Sequence, residues 1–417
     1  MKAWHDECAV FGIWDSDEAS RIAYLGLYAQ QHRGQESTGI VTLNENIQLE
    51  HKGLGLVADV FGEADLDRLK GRAAIGHCRY STSGQNLLSN AQPLTAQMMT
   101  GPLAVAHNGN FVNADELRKK LKETGSIFQG TNDTECLLHL LAKNPSTSLV
   151  KCLKDEALKV KGAYSLVLLT HESLVAVRDP HGFRPLVLGK RKNADGKEST
   201  VIASETTAFD LIGAKFVREI APGEIFWVDK NGEHSEFINE KPTKLSQCVF
   251  EHVYFARPDS IVFGKSVYES RKQMGVELAK EQPANADMVI PVPDSGIAAA
   301  LGYSQESKIP FDMGIIRNHY IRRTFIEPQQ SIRSLGVKIK LNPQTAILKG
   351  KRIVVVDDSL VRGTTSEKII NLIRAAGAKE VHVRIACPPT TGPCYYGVDT
   401  PQKEQLIAAN QTLEQIR

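Results

Sequence analysis

The stretch "RIVVVDDSLVRGTTSEKIINLIRAAGAKEVHVRIA" most constrains how this 417-residue chain can fold. Four consecutive apolar residues, Ile353–Val356, predict a strand that is buried on both faces. The apolar residues that follow recur at helical spacing and predict a helix: Ile369, Ile370, Leu372, Ile373 and Ala376. A second apolar run, "VHVRIA", closes a βαβ unit, so we expect parallel strands covered by helices.

A polar loop joins the strand and the helix of this unit. Ligands of parallel sheets bind at the carboxyl ends of the strands, and Asp357 and Asp358 lie at such an end. The loop continues through Gly363 and two threonines, whose hydroxyls and amides suit a phosphate next to a helix N-terminus. The aspartates suit sugar hydroxyls or a magnesium ion. The alternative is a strand end followed by an ordinary helix cap, but the combined order favours phosphate binding.

The chain divides into two halves with different predicted patterns of secondary structure. From Ala9 to Val228, short β-like runs outnumber helical patterns such as "SRIAYLGLYAQQ" and "DELRKKLKE", which predicts a layered α+β half. From Asp287 onward, strands and helices alternate, which predicts an α/β half. The polar stretch "KNGEHSEFINEKPTKLSQ" between them is typical of a surface connection.

Charge and cysteine content exclude several classes of function. The formal net charge is only +2, so nothing in the composition favours a nucleic-acid or membrane partner. The start lacks an apolar signal-peptide core, and we expect a cytoplasmic protein. Seven cysteines, an odd number, are expected to be thiols, ligands or a nucleophile.

Cys8 stands where the first apolar strand begins, after seven mostly polar residues. A cysteine in a strand is ordinarily a small buried hydrophobe. If the seven residues are removed, however, the new α-amino group becomes a base within reach of the thiol. From residue types alone, a cysteine protease that pairs Cys8 with His32, His77 or His107 also stays open.

The motif "VVVDDSLVRGTT" resembles the phosphoribosyl pyrophosphate signature of type I phosphoribosyltransferases. In that family the acidic pair meets the ribose hydroxyls and the loop holds the 5′-phosphate. The resemblance therefore implies a phosphoribosyl pyrophosphate site formed by Asp357, Asp358, Ser359, Arg362, Gly363, Thr364 and Thr365.

The first half carries a second resemblance. "CAVFGIW", "QQHRGQES", "GHCRYSTSG", "AHNGN" and "TNDTE" are similar, in the same order, to glutamine amidotransferases of the N-terminal-nucleophile class. Together the two halves resemble the glutamine phosphoribosylpyrophosphate amidotransferase family over nearly the whole chain. This implies a propeptide (1–7), an αββα N-terminal-nucleophile glutaminase domain (8–235) and an α/β type I phosphoribosyltransferase domain (236–417).

The family match also implies residue roles in the glutaminase half. Cys8 would be the nucleophile, Asn108 and Gly109 the oxyanion donors, and the glutamine would be bound by Arg33, Gly34, Arg79 and Asp133. Each of these residues has an ordinary alternative. Asn108-Gly109 is a turn signal, Asp133 can cap the helix of "TECLLHLLA", and Arg79 can form a surface ion pair.

In the second half, the family places a lid over the pyrophosphate group at the basic stretch "RNHYIRRTFIEPQQSIRSLGVKIKL". The alternative is a solvated basic loop. The resemblance assigns Arg323 and Lys340 to phosphoribosyl pyrophosphate. It also assigns Ser295, with Asp357 and Asp358, to magnesium. Arg322 stands where relatives commonly have glycine.

The expected reaction converts glutamine, phosphoribosyl pyrophosphate and water to 5-phosphoribosylamine, glutamate and pyrophosphate, the first committed step of de novo purine biosynthesis. Feedback by purine nucleotides and a homo-oligomer, dimer or tetramer, are further family implications. The alternative is an ammonia-only or inactive phosphoribosyl pyrophosphate-binding regulator of the same fold. A transferase to another sugar phosphate would lack the "VVVDDSLVRGTT" motif.

Some family members hold a [4Fe-4S] cluster through four cysteines. Cys248 and Cys394 fall at two of those places, and the other two belong to a C-terminal extension that this sequence does not contain. We therefore interpret the chain as a truncated sequence or a shorter natural variant. Because two thiolates cannot close a four-cysteine site, we predict no intact cluster in this chain.

Overall fold

The structure, a computed structural model, describes residues 8–44, 46–80, 87–239, 243–318, 340–398 and 402–416. They form two compact units. The first comprises the described residues of Met1–Val249, Phe255–Gly264 and Cys394–Thr400, and the second those of Phe250–Tyr254, Lys265–Pro393 and Pro401–Arg417. The domain boundary at 235/236 stays a prediction.

The first unit is built mainly from strands, which are numbered in chain order. Its described strands β1–β14 are Ala9–Trp14, Ser37–Asn44, Ile47–Leu54, Ala73–Arg79, Leu94–Met98, Gly101–Phe111, Gly162–Thr170, Ser173–Arg178, Val187–Lys192, Glu198–Ala203, Ala214–Glu219, Glu224–Asp229, Gly232–Phe237 and Ile261–Val262. Its described α-helices α1–α7 are Ala19–Ala29, Val57–Val60, Glu63–Arg68, Ala114–Glu123, Thr134–Lys143, Leu149–Ala157 and Thr207–Ile212.

The first unit is an αββα sandwich, as the sequence predicts. Strands β1–β13 form one sheet in the order β11-β9-β10-β1-β4-β2-β3 and a second in the order β13-β12-β8-β7-β6-β5. Strand β1 shows why the layers assemble, because its residues alternate between two apolar cores. Phe11 and Ile13 pack toward α1 and α7, whereas Val10 packs in the core between the sheets. Helices α4–α6 cover the outer face of the second sheet.

One part of the sequence interpretation was wrong. The polar stretch expected to be a surface connection begins with β13, which pairs with β12 from Glu224↔Phe237 to Asp229↔Gly232. The reason is a tight hairpin turn, in which Gly232 adopts a positive φ of 119°. An edge strand of polar residues lacks the apolar alternation that marks a strand in a sequence.

The second unit contains the remaining elements. Its described strands β15–β20 are Lys265–Ser266, Met288–Pro291, Ile315–Arg317, Leu341–Pro343, Arg352–Asp357 and Glu380–Ile385. Its described α-helices α8–α13 are Val267–Glu281, Ile297–Ser307, Thr345–Leu348, Thr364–Ala375, Ile407–Asn410 and Leu413–Ile416.

The second unit is α/β, as the alternating pattern predicts. Strands β16, β19 and β20 form a parallel sheet in that order. One face packs on α11 through Ile369 and Ile373, and the other packs on α8 and α9 through Ala279 and Tyr303. The apolar stretch "FDMGII" does not add a full strand to this sheet, and Phe311 forms only an isolated parallel bridge with Val289. Ile315–Arg317 pairs instead with β18 in a separate two-stranded sheet.

In the part of the chain that the structure describes, no helix has the length and apolarity needed to cross a membrane.

The contact between α8 and α9 generates a first prediction. A Cβ at Gly275 would lie 1.8 Å from the carbonyl oxygen of Ala299, so the helix backbones are almost in contact. We expect Gly275→Ala to lower the free energy of unfolding of this unit by about 1–3 kcal/mol through overpacking. Denaturant unfolding measures the change. The control Gln273→Ala, exposed on the same helix, should be near neutral, and equal stability of the two variants would contradict the observed packing.

Candidate active sites

Cys8 lies at the start of β1 and is buried, with 6% of its surface exposed. Its Sγ donates to the carbonyl oxygen of Tyr80 at 3.4 Å. Strand β1 pairs antiparallel with β4 at Ala9↔Cys78, so the carboxyl end of β4, with the buried Arg79, lies beside Cys8. The structure thus brings these two predicted residues together.

Arg33 and Gly34 approach the same point from the end of α1. The Nε of Arg33 donates to the carbonyl oxygen of Cys8 at 3.1 Å. A Cβ at Gly34 would lie 2.6 Å from the carbonyl of Cys78, so only glycine fits against the end of β4. The guanidinium of Arg33 thus holds the main chain of the proposed nucleophile. Its part in glutamine binding stays a prediction.

Asn108 and Gly109 lie in β6 of the other sheet. The Nε2 of His77 in β4 contacts the carbonyl oxygen of His107 at 2.9 Å, which ties β6 to the strand beside Cys8. The side-chain amide nitrogen of Asn108 is buried and has no hydrogen-bond partner among the described residues. A buried donor without a partner is costly, and a transient oxyanion would satisfy it.

Gly109 is a place where the backbone requires glycine. Its φ is 149°, and a Cβ would lie 2.0 Å from the carbonyl oxygen of Ala163. The turn expected from "NG" is absent at this point, because Asn108 and Gly109 are paired with Ser165 and Tyr164 inside the β6–β7 ladder. The glycine therefore serves a strained strand position and not a hairpin turn.

Asp133 is a helix cap, and it also lies beside the proposed oxyanion site. It begins helix α5, and its Oδ1 accepts from the amide of Thr134 at 2.9 Å. Its Oδ2 accepts from the amide of Phe111 at 2.8 Å, two residues beyond Gly109. The carboxylate is buried, and the cap fixes it next to the Asn108–Gly109 strand. Its part in glutamine binding stays a prediction.

The histidines considered as bases for Cys8 each contact other groups. His32 Nε2 contacts Glu205 at 2.8 Å, and His107 Nδ1 contacts the hydroxyl of Thr134 at 2.9 Å. Burial lowers the pKa of His77 to about 3 and also lowers the pKa of His107, so both rings are neutral. These contacts disfavour the cysteine-protease alternative. Sequence reasoning missed the contact between the His77 side chain and the His107 carbonyl oxygen, because a contact between two sheets produces no local pattern in the sequence.

In the second unit, the acidic pair lies at the carboxyl end of β19. The Oδ1 of Asp357 accepts from the amide of Asp358, and the Oδ2 of Asp358 accepts from the hydroxyl of Ser359 at 2.5 Å. Burial, and then the neighbouring charge of Asp358, raise the pKa of Asp357 well above its usual range. Among the described residues, neither carboxylate forms an ion pair. This arrangement is ready for hydroxyl donors or a cation.

The loop after the acidic pair leads into the N-terminus of α11. Gly363 adopts a left-handed conformation, with φ 78°, immediately before this helix. Thr364 and Thr365 in the first turn are exposed, and Arg362 and Gly363 line the cleft beside α11. Exposed amides and hydroxyls at a helix start form a phosphate-binding geometry. The structure thus places the predicted loop between β19 and α11, and phosphate binding there stays a prediction.

The structure describes two of the three other predicted residues of the second site. Ser295, in the loop between β16 and α9, lines a narrow crevice together with Asp358. Lys340 has an exposed side chain, and its carbonyl oxygen accepts from the amide of Asn318 at 2.8 Å. Arg323 lies outside the described residues. Asp294, next to Ser295, forms an ion pair with Arg317 at 2.5 Å.

The cysteines predicted to ligate iron both lie near Phe183 of the first unit. The amide of Cys248 donates to the carbonyl oxygen of Phe183 at 3.2 Å, and Tyr396, two residues after Cys394, stacks on the Phe183 ring. The described residues contain no group of three or more His, Cys, Asp or Glu that could hold a metal. The absence of an intact iron–sulfur cluster stays a prediction.

Comparisons with known proteins cover both units. Residues 77–210 match the glutamine amidotransferase domain family, and residues 273–405 match the phosphoribosyl transferase domain family. The chain is 55% identical over 414 residues to the chloroplastic amidophosphoribosyltransferase of Vigna aconitifolia, covering 99% of this chain and 84% of the relative.

Two solved structures are also similar over 98% of the chain. One is described as the structure of the allosteric regulatory enzyme of purine biosynthesis, with a TM-score of 0.93, 44% identity and 87% of that chain covered. The other is the glutamine phosphoribosylpyrophosphate amidotransferase from B. subtilis complexed with ADP and GMP, with a TM-score of 0.92, 45% identity and 88% covered.

The neutral, buried His77 predicts a pH dependence of stability. The unfolded chain binds a proton at this histidine below pH ~6.5, whereas the folded chain binds it only near pH 3. The free energy of unfolding therefore falls as the pH drops from about 6.5, by up to about 1.4 kcal/mol per pH unit from this group.

The variant His77→Gln removes that contribution while keeping a donor for His107. Denaturant unfolding of both proteins between about pH 7 and pH 4.5 should show the wild-type stability approaching that of the variant as the pH falls. Parallel curves over this range would mean that His77 is protonated in the folded protein.

Proposed function

Because the chain belongs to the amidophosphoribosyltransferase family, the glutamine-dependent phosphoribosyltransferases of purine biosynthesis, we propose that the Cys8 site is its glutaminase centre and the Asp357–Thr365 loop its phosphoribosyl pyrophosphate site. The enzyme takes up glutamine, phosphoribosyl pyrophosphate and water and forms 5-phosphoribosylamine, glutamate and pyrophosphate. The comparisons give no support to a regulator without activity.

The observation that carries the assignment of the first site concerns Asn108, in the strand tied to β4. Its side-chain nitrogen is buried and has no hydrogen-bond partner among the described residues. The Cys8 thiol attacks the side-chain amide carbon of glutamine, and its proton passes to the α-amino group that removal of Met1–Glu7 creates. Asn108 and the amide of Gly109 donate to the oxyanion. The α-ammonium group then returns the proton to the leaving nitrogen. Collapse of the intermediate breaks the C–N bond, releases ammonia and leaves a thioester that water hydrolyses to glutamate.

Two charged residues account for recognition of the free amino acid. The guanidinium of Arg79 binds the α-carboxylate of glutamine, and the carboxylate of Asp133 binds its α-ammonium group. Both side chains are almost fully buried, so the low polarity around them strengthens each ion pair. A glutamine side chain within a polypeptide lacks both groups and is rejected.

At the second site, the sugar and phosphate of phosphoribosyl pyrophosphate are recognised separately. Asp357 and Asp358 accept hydrogen bonds from the ribose hydroxyls, and the amides and hydroxyls from Ser359 to Thr365 hold the 5′-phosphate. Asp357, Asp358 and Ser295 would hold Mg²⁺ through their side-chain oxygens. When bound, this ion neutralises charge that develops on the leaving pyrophosphate. Arg323 and Lys340 are proposed to add positive charge to the same group.

Purine nucleotides are further proposed ligands. The B. subtilis relative is described as complexed with ADP and GMP, which supports purine nucleotides as feedback inhibitors of this chain. A homo-oligomer and a cytoplasmic location stay predictions, and the Vigna relative is named chloroplastic. Cys248 and Cys394 take no part in the proposed reaction.

Separate assays with glutamine and with ammonia test the two assignments. Intact mass should first show that active protein has lost Met1–Glu7. Cys8→Ser should abolish glutamine-dependent phosphoribosylamine formation and retain the ammonia-dependent reaction, because free ammonia bypasses the thiol. Asp357→Asn should lower both reactions by about 100-fold or more, because each needs the second site.

The matched control is Asp287→Asn. Asp287 is an acid paired with Arg352 at the opposite end of the same sheet, and its removal should leave both reactions within about twofold. Full glutamine-dependent activity in Cys8→Ser would disprove the first assignment, and full activity in Asp357→Asn would disprove the second.

Asn108→Ala provides a finer test of the oxyanion assignment. Loss of this donor should lower kcat for glutamine by about 10²- to 10³-fold with little change in KM, because the contact forms in the transition state. Steady-state kinetics at varied glutamine concentration measure kcat and KM separately. Asn113→Ala, which removes a surface amide bonded to residues 159 and 161, serves as the control. An equal loss in the ammonia-dependent reaction would indicate misfolding instead.

A further inference from the structure

Glu205 is a fully buried carboxylate with four donors around it. Its Oε1 accepts from the Nη1 of Arg33 at 2.6 Å and contacts the Nε2 of His32 at 2.8 Å. Its Oε2 accepts from the hydroxyl of Ser260 at 2.7 Å and from the amide of Arg257 at 3.0 Å. These donors come from two segments far apart in the chain, so this carboxylate fixes both of them to one point.

The contact with Arg33 leads directly to Cys8. Arg33 uses Nη1 for Glu205 and Nε for the carbonyl oxygen of Cys8, and its side chain is fully buried. A guanidinium is planar, so fixing one edge by an ion pair also fixes the direction of the other N–H groups. The position of Glu205 therefore sets the position of the Cys8 main chain.

The main chain of Glu205 is itself held against β1. The Oε1 of Gln30 accepts from the amides of Ser204 and Glu205, while its Nε2 donates to the carbonyl oxygen of Val10 at 3.4 Å. The amide of Val10 in turn donates to the hydroxyl of Ser204 at 3.0 Å. Glu205 is thus rigidly placed relative to the strand that carries the nucleophile.

The carboxylate is ionised at neutral pH. Burial alone would raise the pKa of Glu205, but the charges of His32 and Arg33 and the hydrogen bonds from His32 and Ser260 hold that pKa well below its usual range. A neutral amide of the same size would lose the charge and keep only one of the two acceptor oxygens. The substitution Glu205→Gln therefore weakens these contacts while it keeps the volume of the side chain.

We propose that Glu205 is a positioning residue of the glutaminase reaction, which acts through Arg33 to hold the main chain of Cys8 in its attacking position. This inference rests on the function proposed for Cys8. In this role Glu205 contacts Arg33 and not the substrate. Its substitution should therefore affect turnover of glutamine without affecting the reaction of free ammonia.

Glu205→Gln tests the proposal. We expect kcat for glutamine to fall by about 10- to 100-fold, with KM changed by less than about threefold, since misplacement of a reacting group by about 1 Å costs up to this much. The rate of Cys8 alkylation by iodoacetamide, followed by mass spectrometry, should fall with it. Ammonia-dependent activity should stay within about twofold of wild type.

The chain offers a closely matched control in Glu224→Gln. Glu224 is also a buried carboxylate of the first unit, and it accepts from the Arg218 guanidinium, the Ser235 hydroxyl and the Ala221 amide. These partners all lie within residues 218–235, a segment that carries neither Cys8 nor Arg33. Loss of this ion pair should lower stability comparably and leave kcat for glutamine within about twofold.

A second variant keeps the test decisive if Glu205→Gln folds poorly. Arg33→Lys keeps the charge but replaces the planar fork, whose Nη1 and Nε bond Glu205 and the Cys8 carbonyl oxygen, by a single nitrogen, so it should reproduce the loss in kcat. The double variant should lose no more than the worse single one. Additive losses, equal losses in Glu224→Gln, or unchanged kcat in Glu205→Gln would overturn the proposal. Absence of glutamine-dependent activity in the wild type would instead refute the glutaminase assignment.

Discussion

The antiparallel pairing of β1 with β4 is the constraint on which the first site depends. It places Cys8 beside Arg79, and it requires β1 to be buried on both faces. Phe11 packs so closely on α1 that a Cβ at Gly26 would lie 2.2 Å from its ring. Because Val10 packs in the other direction, toward the second sheet, the same strand fixes the distance between the two sheets. A contact between β4 and β6, from His77 to the main chain of residue 107, then brings the proposed oxyanion donors to the same end of the sandwich.

The second site depends on a different constraint, the end of a parallel strand. Strand β19 is apolar from Ile353 to Val356, and two adjacent acids follow at its carboxyl end. Like charges at this spacing repel, and burial raises the pKa of Asp357 further. The proposed ligands, ribose hydroxyls or a cation, would stabilise both carboxylates. The proposed site thus accounts for a pair of acids that does not stabilise the unit.

Periodicity predicted the elements whose side chains face a core. The βαβ unit, α1, α4 and β1 follow from apolar spacing, and their positions agree with the structure. Strand β13 could not be predicted, since an edge strand with polar residues on both faces has no such spacing. The pairing of β17 with β18 likewise joins residues that are distant in the chain, as in Arg317↔Leu341 and Ile316↔Asn342. Local sequence carries no information about such pairings.

The residues of the candidate sites also divide into those that the sequence could predict and those that it could not. Cys8, Asn108 and Asp357 were predicted because family motifs surround them, and their roles stay predictions. The roles of His77 and Glu205 depend on contacts across 30 residues in one case and 172 in the other. Both are single polar residues inside apolar or mixed stretches, where the sequence alone favours an ordinary buried side chain. Only the tertiary contacts distinguish them.

Buried charge is the common feature of the first site, and it is a poor way to stabilise a fold. An ion pair such as Arg33–Glu205, with both side chains fully buried, loses hydration that its attraction only partly restores. A pair of well-packed apolar residues of similar volume is often as stable or more so. An apolar pair cannot fix the orientation of its side chains, because dispersion contacts let the side chains slide past each other. Two hydrogen bonds from one planar guanidinium do not allow this. The chain therefore uses directional, charged contacts to position Cys8 and apolar contacts to pack the layers of the sandwich.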